Sequence, residues 1–317
     1  MRPAGIARSP ARRAGAVIAA LLLPHAVSHA QAAPVAPRAD TATVILLGTG
    51  MPYPDPSAQG PATAVTVGDR LFLFDAGAGV VRQMNAAKLP VRGGPVTAVF
   101  LTHLHSDHTL GLADVIFTSW VMGRRRPLPI IGPPGTRAMV DHLTAAYTED
   151  IEVRTRGLER GIPDGWRTRV REVTGGVVYD SAGVRILAVP VEHGSWKHAF
   201  GFRIEAPGKV IVLSGDTRPS AALERAAAGA DLLVHEAYPG VRLKPEDRPG
   251  GDLWPQYMRA FHASDEEVGR LAARAGVKQL VLHHLVRMGG TDAELLEGVR
   301  RGGYLGPAVI GKDLDRF

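Results

Sequence analysis

A chain of 317 residues with 45% hydrophobic content is long enough to bury one large core. The formal charge of +6 is uneven: residues 1–30 hold four arginines and no acid, leaving 6 − 4 = +2 on the rest, so charge alone is weak ground for a nucleic-acid binder. Cysteine is absent, which excludes a disulfide framework, thiolate metal ligands and a cysteine nucleophile.

The first thirty residues read as an export signal rather than as part of the fold. Arg2, Arg8, Arg12 and Arg13 flank an apolar run over residues 14–23, and Ser28-His29-Ala30 offers small residues for cleavage before Gln31. The run is too short to span a bilayer, so the expectation is a periplasmic or secreted protein with no stable membrane span. The Arg12-Arg13 pair raises twin-arginine export, although its flanks match that signal poorly. Residues 31–40 read as a flexible leader, and residues 41–317 as one hydrolase domain.

Residues 43–47 form a short buried strand, followed by a rigid Gly/Pro loop over residues 48–54 that lacks the Lys-Ser/Thr of a phosphate loop. Residues 62–67 and 71–74 bracket Gly68-Asp69-Arg70 as a hairpin, and a helix is expected near 80–87. An apolar strand opens at residue 96 and a helix follows over 110–122. The basic run Gly123-Arg124-Arg125-Arg126 reads as solvated. A strand at 128–131 and a helix at 136–147 come next, then a polar surface excursion over 154–167. Strands are expected at 169–173, 177–180, 184–191, 199–206 and 209–214, a helix at 219–228 and a strand at 231–235. Residues 239–261 carry Pro, Gly, Trp254 and Tyr257 without a clear period and read as a long loop over a site. Ser264-Asp265-Glu266-Glu267 is a capping box, residues 279–283 a strand, and Thr291-Asp292-Ala293-Glu294 caps the last helix. Strands in both halves with helices between them predict an α/β protein with two packed sheets and helices outside, an αββα sandwich.

The strand from residue 96 delivers His103, His105, Asp107 and His108 within six positions. Residues two apart on an extended backbone share a face, so His103 and His105 point the same way. Asp107 and His108 can swing back from the start of the next helix. Imidazole and carboxylate suit zinc, manganese or iron, and four such groups exceed what one ion needs, which predicts two divalent ions. Three more polar residues then close apolar strands: His193, Asp216 in Ser214-Gly215-Asp216-Thr217-Arg218-Pro219, and His284.

With Asp75, these motifs in this order resemble the metallo-β-lactamase superfamily. The resemblance implies one metal on His103, His105 and His193, a second on Asp107, His108 and His284, and Asp216 bridging them. It also implies that Asp75 orients the cluster without touching metal, and that His283, on the opposite strand face, is structural. Cysteine-dependent β-lactamases are excluded by composition, and Asp216 argues against the cysteine-free exported ones. Gly48-Thr49-Gly50, the 214–219 stretch, His235-Glu236-Ala237 and Phe261-His262-Ala263 resemble the ribonuclease Z group, where residues matching Glu236 and His262 form a pair that assists the leaving group. The arm that grips tRNA in that group is replaced here by a tight hairpin at residues 205–209. That departure, the export signal, Gly132-Pro133-Pro134-Gly135-Thr136 and Ala145-Ala146-Tyr147 resemble the exported arylsulfatase-like members more. The expected function is hydrolysis of sulfate or phosphate esters of small molecules by a hydroxide made on two zinc ions and oriented by Asp107. The alternatives are a ribonuclease Z-like phosphodiesterase or a lactonase; a binding module is disfavoured because all seven ligands are present. No specific nucleic acid is expected as partner, and a homodimer is compatible with the sequence.

Overall fold

In the computed structural model, which describes residues 42–317, alternation along the first strand sets the layering. In β1 (Thr43–Gly48), Val44 and Leu46 face one side while Ile45 and Leu47 face the other, and all four are buried. A strand apolar on both faces needs cover on both. β2 (Ala62–Val67) pairs antiparallel with β1 and β3 (Arg70–Phe74) antiparallel with β2, and both are buried in the same way. From β3 the sheet turns parallel through β4 (Val96–Phe100), β5 (Leu128–Gly132) and β6 (Thr168–Glu172), with the six strands in chain order. Helices α1 (Val80–Ala86), α2 (Ser106–Thr109), α3 (Leu112–Val121), α4 (Thr136–Ala146) and α5 (Thr148–Arg156) lie between these strands in the chain. Val80, Met84, Val115, Ile116 and Val140 cover one face of the sheet.

The second sheet begins as a meander of β7 (Gly176–Ser181), β8 (Val184–His193), β9 (Trp196–Ala206) and β10 (Lys209–Leu213). It continues in parallel through β11 (Leu232–Ala237), β12 (Leu280–Leu285) and β13 (Ala308–Ile310). Helices α6 (Ala221–Ala226), α8 (Asp265–Ala275) and α9 (Asp292–Arg301) cover its outer face, while α7 (Trp254–Phe261) runs beside the strand ends. Between the sheets lies a core whose centre is aromatic: Phe74 stacks on Phe100 at 5.1 Å, and Phe202 meets Phe100 at 5.7 Å. This is the expected αββα sandwich. Asp75, His103, Asp216 and His284 all lie at or just past the carboxyl ends of parallel strands, where the open edge of an α/β sheet leaves a crevice.

Several expectations are corrected. Residues 239–261 are not one irregular loop but two 3-10 turns, Gly240–Arg242 and Gly251–Leu253, followed by α7. The helical period of Trp254, Tyr257, Met258 and Phe261 was masked by its flank, and Pro255 sits in the first turn, where its missing N–H costs nothing. The excursion at 154–167 begins inside α5. Arg124 is not solvated: it is buried, and its guanidinium donates to the carbonyls of Gly165, Val115 and Ile116. Burial lowers its pKa to about 10, which still leaves it charged.

The chain end closes an edge. Val44 N donates to Phe317 O and Phe317 N to Val44 O, both at 2.9 Å, and Leu46 and Asp315 pair beside them. Asp313 gathers the loop after β1: its carboxylate accepts from Thr49 N and Oγ1, from Gln59 N and from Gln83 Nε2, at 2.7 to 2.9 Å. The export signal expected in residues 1–30 and the leader at 31–40 lie outside the described residues. Among the described residues, no helix is long and apolar enough to cross a membrane.

Candidate metal centre

β4 ends at Phe100, and the chain carries His103 and His105 past it into α2, whose first turn holds Asp107 and His108. Asp75, in the left-handed region at φ 58°, sits directly beneath. Its carboxylate accepts from Thr102 N, from Thr102 Oγ1 and from His108 Nδ1, each at 2.8 Å. Since the Thr102 hydroxyl proton goes to Asp75, the same oxygen accepts from His103 Nδ1 at 2.9 Å. One carboxylate thereby holds the Nδ1 sides of two imidazoles and turns their Nε2 atoms inward.

The other rings are held likewise. His193, at the end of β8, donates from Nδ1 to Phe261 O at 2.7 Å, and His284 donates from Nδ1 to Gly50 O at 2.7 Å. His105 is turned the other way: the Trp196 indole N–H donates to its Nε2 at 2.7 Å, and its Nδ1 points in. Inside, His103 Nε2 and His193 Nε2 lie 2.9 and 3.2 Å from His105 Nδ1. Asp107 Oδ2 lies 3.6 Å from both His108 Nε2 and His284 Nε2. Asp216, in the loop after β10, spans the two sets. Its Oδ2 is 3.2 Å from His284 Nε2 and 3.8 Å from His193 Nε2, and its Oδ1 is 3.4 Å from His108 Nε2.

All seven expected ligands thus converge, as one group of His103, His105, His193 and Asp216 and another of Asp107, His108 and His284. They fit divalent cations on structural grounds. Nitrogen and oxygen donors point at shared centres, and Asp216 Oδ1 is buried with no hydrogen-bond partner, a cost that a cation would relieve. Electrostatics agree. Burial pushes His193 down to about 4 and His103 well below its ordinary range, so these rings are neutral. For His108 and His284 burial acts in the same direction, but the Asp216 carboxylate outweighs it and raises both.

Glu236, on β11, and His262, just after α7, also meet. Glu236 Oε1 accepts from Thr217 N at 3.0 Å and from His262 Nδ1 at 3.1 Å. Burial would discharge His262, but the Glu236 charge and hydrogen bond outweigh it and raise its pKa to about 9. The His262 ring lies 5.2 Å from that of His193, at the rim of the cluster. His283 belongs to neither group and leaves a buried Nδ1 without a partner. Three supports escaped the sequence reading. Trp196 could have been suspected, three residues past His193 in a tight hairpin, whereas Asp313 and the carbonyl of Gly50 carry no local signature.

A β-lactamase superfamily domain model matches residues 70–285. The chain is 39% identical over 279 residues to the ribonuclease Z of Mycobacterium bovis, covering 86% of this chain and 96% of that one. It is 42% identical over 248 residues to the ribonuclease Z of Mycobacterium sp. strain KMS, covering 76% and 83%. Among solved structures, a metallo-β-lactamase fold protein of Bacillus subtilis superimposes with TM-score 0.67 at 21% identity, covering 88% of this chain and 100% of that one. The short form of human tRNase Z does so with TM-score 0.62 at 22% identity, covering 87% and 98%. At that identity these two structures speak for the fold. The matched domain spans most of the chain and the curated relatives align along nearly their whole length, so the chain belongs to the ribonuclease Z family of metal-dependent β-lactamase-superfamily hydrolases.

Proposed function

We infer that this chain is a phosphodiesterase that uses two divalent ions, zinc foremost, to cut RNA. The relatives support this alternative better than the arylsulfatase-like reading. The short hairpin at residues 205–209 does not set the chain apart, since a relative called ribonuclease Z is matched over 96% of its length without a long insert. In this reading His103, His105 and His193 hold one ion, Asp107, His108 and His284 the other, and Asp216 both. When bound, such a pair supplies activated water and neutralises charge on the phosphoryl oxygens.

The observation that carries the reading is the His262–Glu236 pair. Glu236 holds the Nδ1 side of the ring, and Nε2 makes no hydrogen bond to the protein among the described residues. Nε2 can therefore give a proton to the departing oxygen, while Asp107, at the other side of the cluster, accepts one from the attacking water. A phenolate leaves an aryl sulfate without such help, but the alkoxide of a ribose does not, so a built acid fits a nucleotide diester. Export rests on the sequence of residues 1–30; if it holds, the RNA is met outside the cytoplasm, and cell fractionation of the tagged full chain tests it. The function is tested by offering the zinc-loaded protein a single-stranded RNA, bis(4-nitrophenyl) phosphate and 4-nitrophenyl sulfate. Hydrolysis of RNA and of the diester is expected; turnover of the sulfate alone would overturn the reading.

A further inference from the structure

Four of the five histidines in the two ligand groups turn their outer nitrogen to an acceptor. His193 and His284 donate to the carbonyls of Phe261 and Gly50, and His108 to the Asp75 carboxylate. His103 donates to the Thr102 hydroxyl, whose own proton goes to Asp75. A neutral imidazole has one proton for two nitrogens, so an acceptor outside favours the tautomer with its lone pair inside, the one a cation needs. His105 breaks the pattern. Its outer Nε2 meets the Trp196 indole N–H at 2.7 Å, and an indole nitrogen only donates. The tautomer that accepts this bond carries its proton on Nδ1, the nitrogen that points in. That proton also has acceptors at hand, His103 Nε2 at 2.9 Å and His193 Nε2 at 3.2 Å.

The contact is held from the backbone. Trp196 opens β9 and is the cross-strand partner of His193 across the turn at Gly194 and Ser195. Gly194 N donates to Ala260 O at 2.9 Å, which ties the tip of this hairpin to the last turn of α7. The indole stands edge-on to His105 at 4.9 Å and 85°, and to His103 at 5.9 Å and 73°. We propose that Trp196 sets the affinity of the centre for the ion assigned to His103, His105 and His193, and sets it low. An ion on His105 Nδ1 leaves the ring's proton to Nε2, where it faces the indole N–H. Two N–H groups repel at that distance, so the Trp196 hydrogen bond ends when the ion binds, and its worth is subtracted from the ion's affinity. Turning the His105 ring over offers no escape, because it brings a carbon to the place of Nδ1. The other ion escapes this cost, since His108 and His284 both have acceptors outside. Trp196 thus makes one ion more readily exchanged than its ligands alone would. The proposal rests on the two-ion reading and is independent of the substrate.

The test is zinc binding by the full chain, stripped of metal and titrated in competition with a chromophoric zinc chelator. Two zinc ions are expected, and His105→Ala identifies the binding step that belongs to the first ion. In Trp196→Phe, which keeps a ring without an N–H, that step should tighten by about 2- to 12-fold, the equivalent of one neutral hydrogen bond. Loss of packing or of an ordinary supporting bond would weaken it instead, so the sign separates this role from a structural one. An unchanged or weakened step would overturn the proposal while leaving two ions in place. Fewer than two zinc ions in the unaltered protein would overturn the two-ion reading and the proposal with it. A second measurement needs no variant. Of the four tryptophan indole N–H signals in a proton–nitrogen NMR spectrum, one should move upfield as zinc is added, as a proton does on losing its acceptor. If none moves, the hydrogen bond survives the ion and the proposal fails.

Discussion

At the residue scale, the proposed function assigns holding to Asp216 and reacting to His262, and the two roles separate by experiment. Asp216 touches both ligand groups through its two oxygens, so Asp216→Ala should lower bound metal, measured by elemental analysis, below the two ions per chain expected for the intact protein. Two ions retained at full occupancy would show that the bridge is dispensable. His262 lies outside both groups, so His262→Ala should keep its metal. Its rate should drop about 10²- to 10⁴-fold on an alkyl diester and far less on a nitrophenyl one. Equal losses on both would remove His262 from proton transfer and leave it a structural partner of Glu236. The convergence of the cluster residues was legible in sequence because four of them occupy six positions and the rest each close an apolar strand. The supports were not. Asp313 acts on Gln59 across 254 residues, and nothing local in the chain marks such a contact.

At the element scale, the helix starts show how tertiary partners replace local signals. α8 and α9 carry their own capping boxes, at Ser264/Glu267 and Thr291/Glu294, and both were readable. α4 has Gly135 at its N-cap with no side-chain cap, yet Glu172 of the neighbouring β6 accepts from Gly135 N and Arg137 N at 2.8 and 2.9 Å. Those bonds hold the Glu172 carboxyl below its ordinary pKa. A depressed carboxylate stabilises the fold above its unfolded pKa and loses that contribution as pH falls through the folded one. Glu172→Gln should therefore lower Tm at pH 7, and the gap to the parent should close as the pH is taken below 4. A gap independent of pH would mean that the charge plays no part. α7 was missed for the opposite reason: its period is present, but the glycines and prolines on its approach read as loop, and only packing of its rings on the strand ends settles it as helix.

At the scale of the whole molecule, strands in both halves with helices between them foretold two packed sheets with helices outside. The edge of the first sheet was not foretold. It is finished by residues 314–317, whose backbone bonds to β1 are each worth roughly 0.5–1.5 kcal/mol net. Deleting those four residues should lower Tm and expose a hydrophobic strand edge, giving concentration-dependent association by light scattering. A monodisperse, equally stable truncation would show the edge to be protected otherwise. The same chain end has a consequence in time. His103 is made early and His284 late, and Asp313, which pins the loop under His284, later still. A growing chain can present the first histidines but not a finished centre. Full metal occupancy therefore has to wait for His284, whatever ions the earlier histidines meet before it is made.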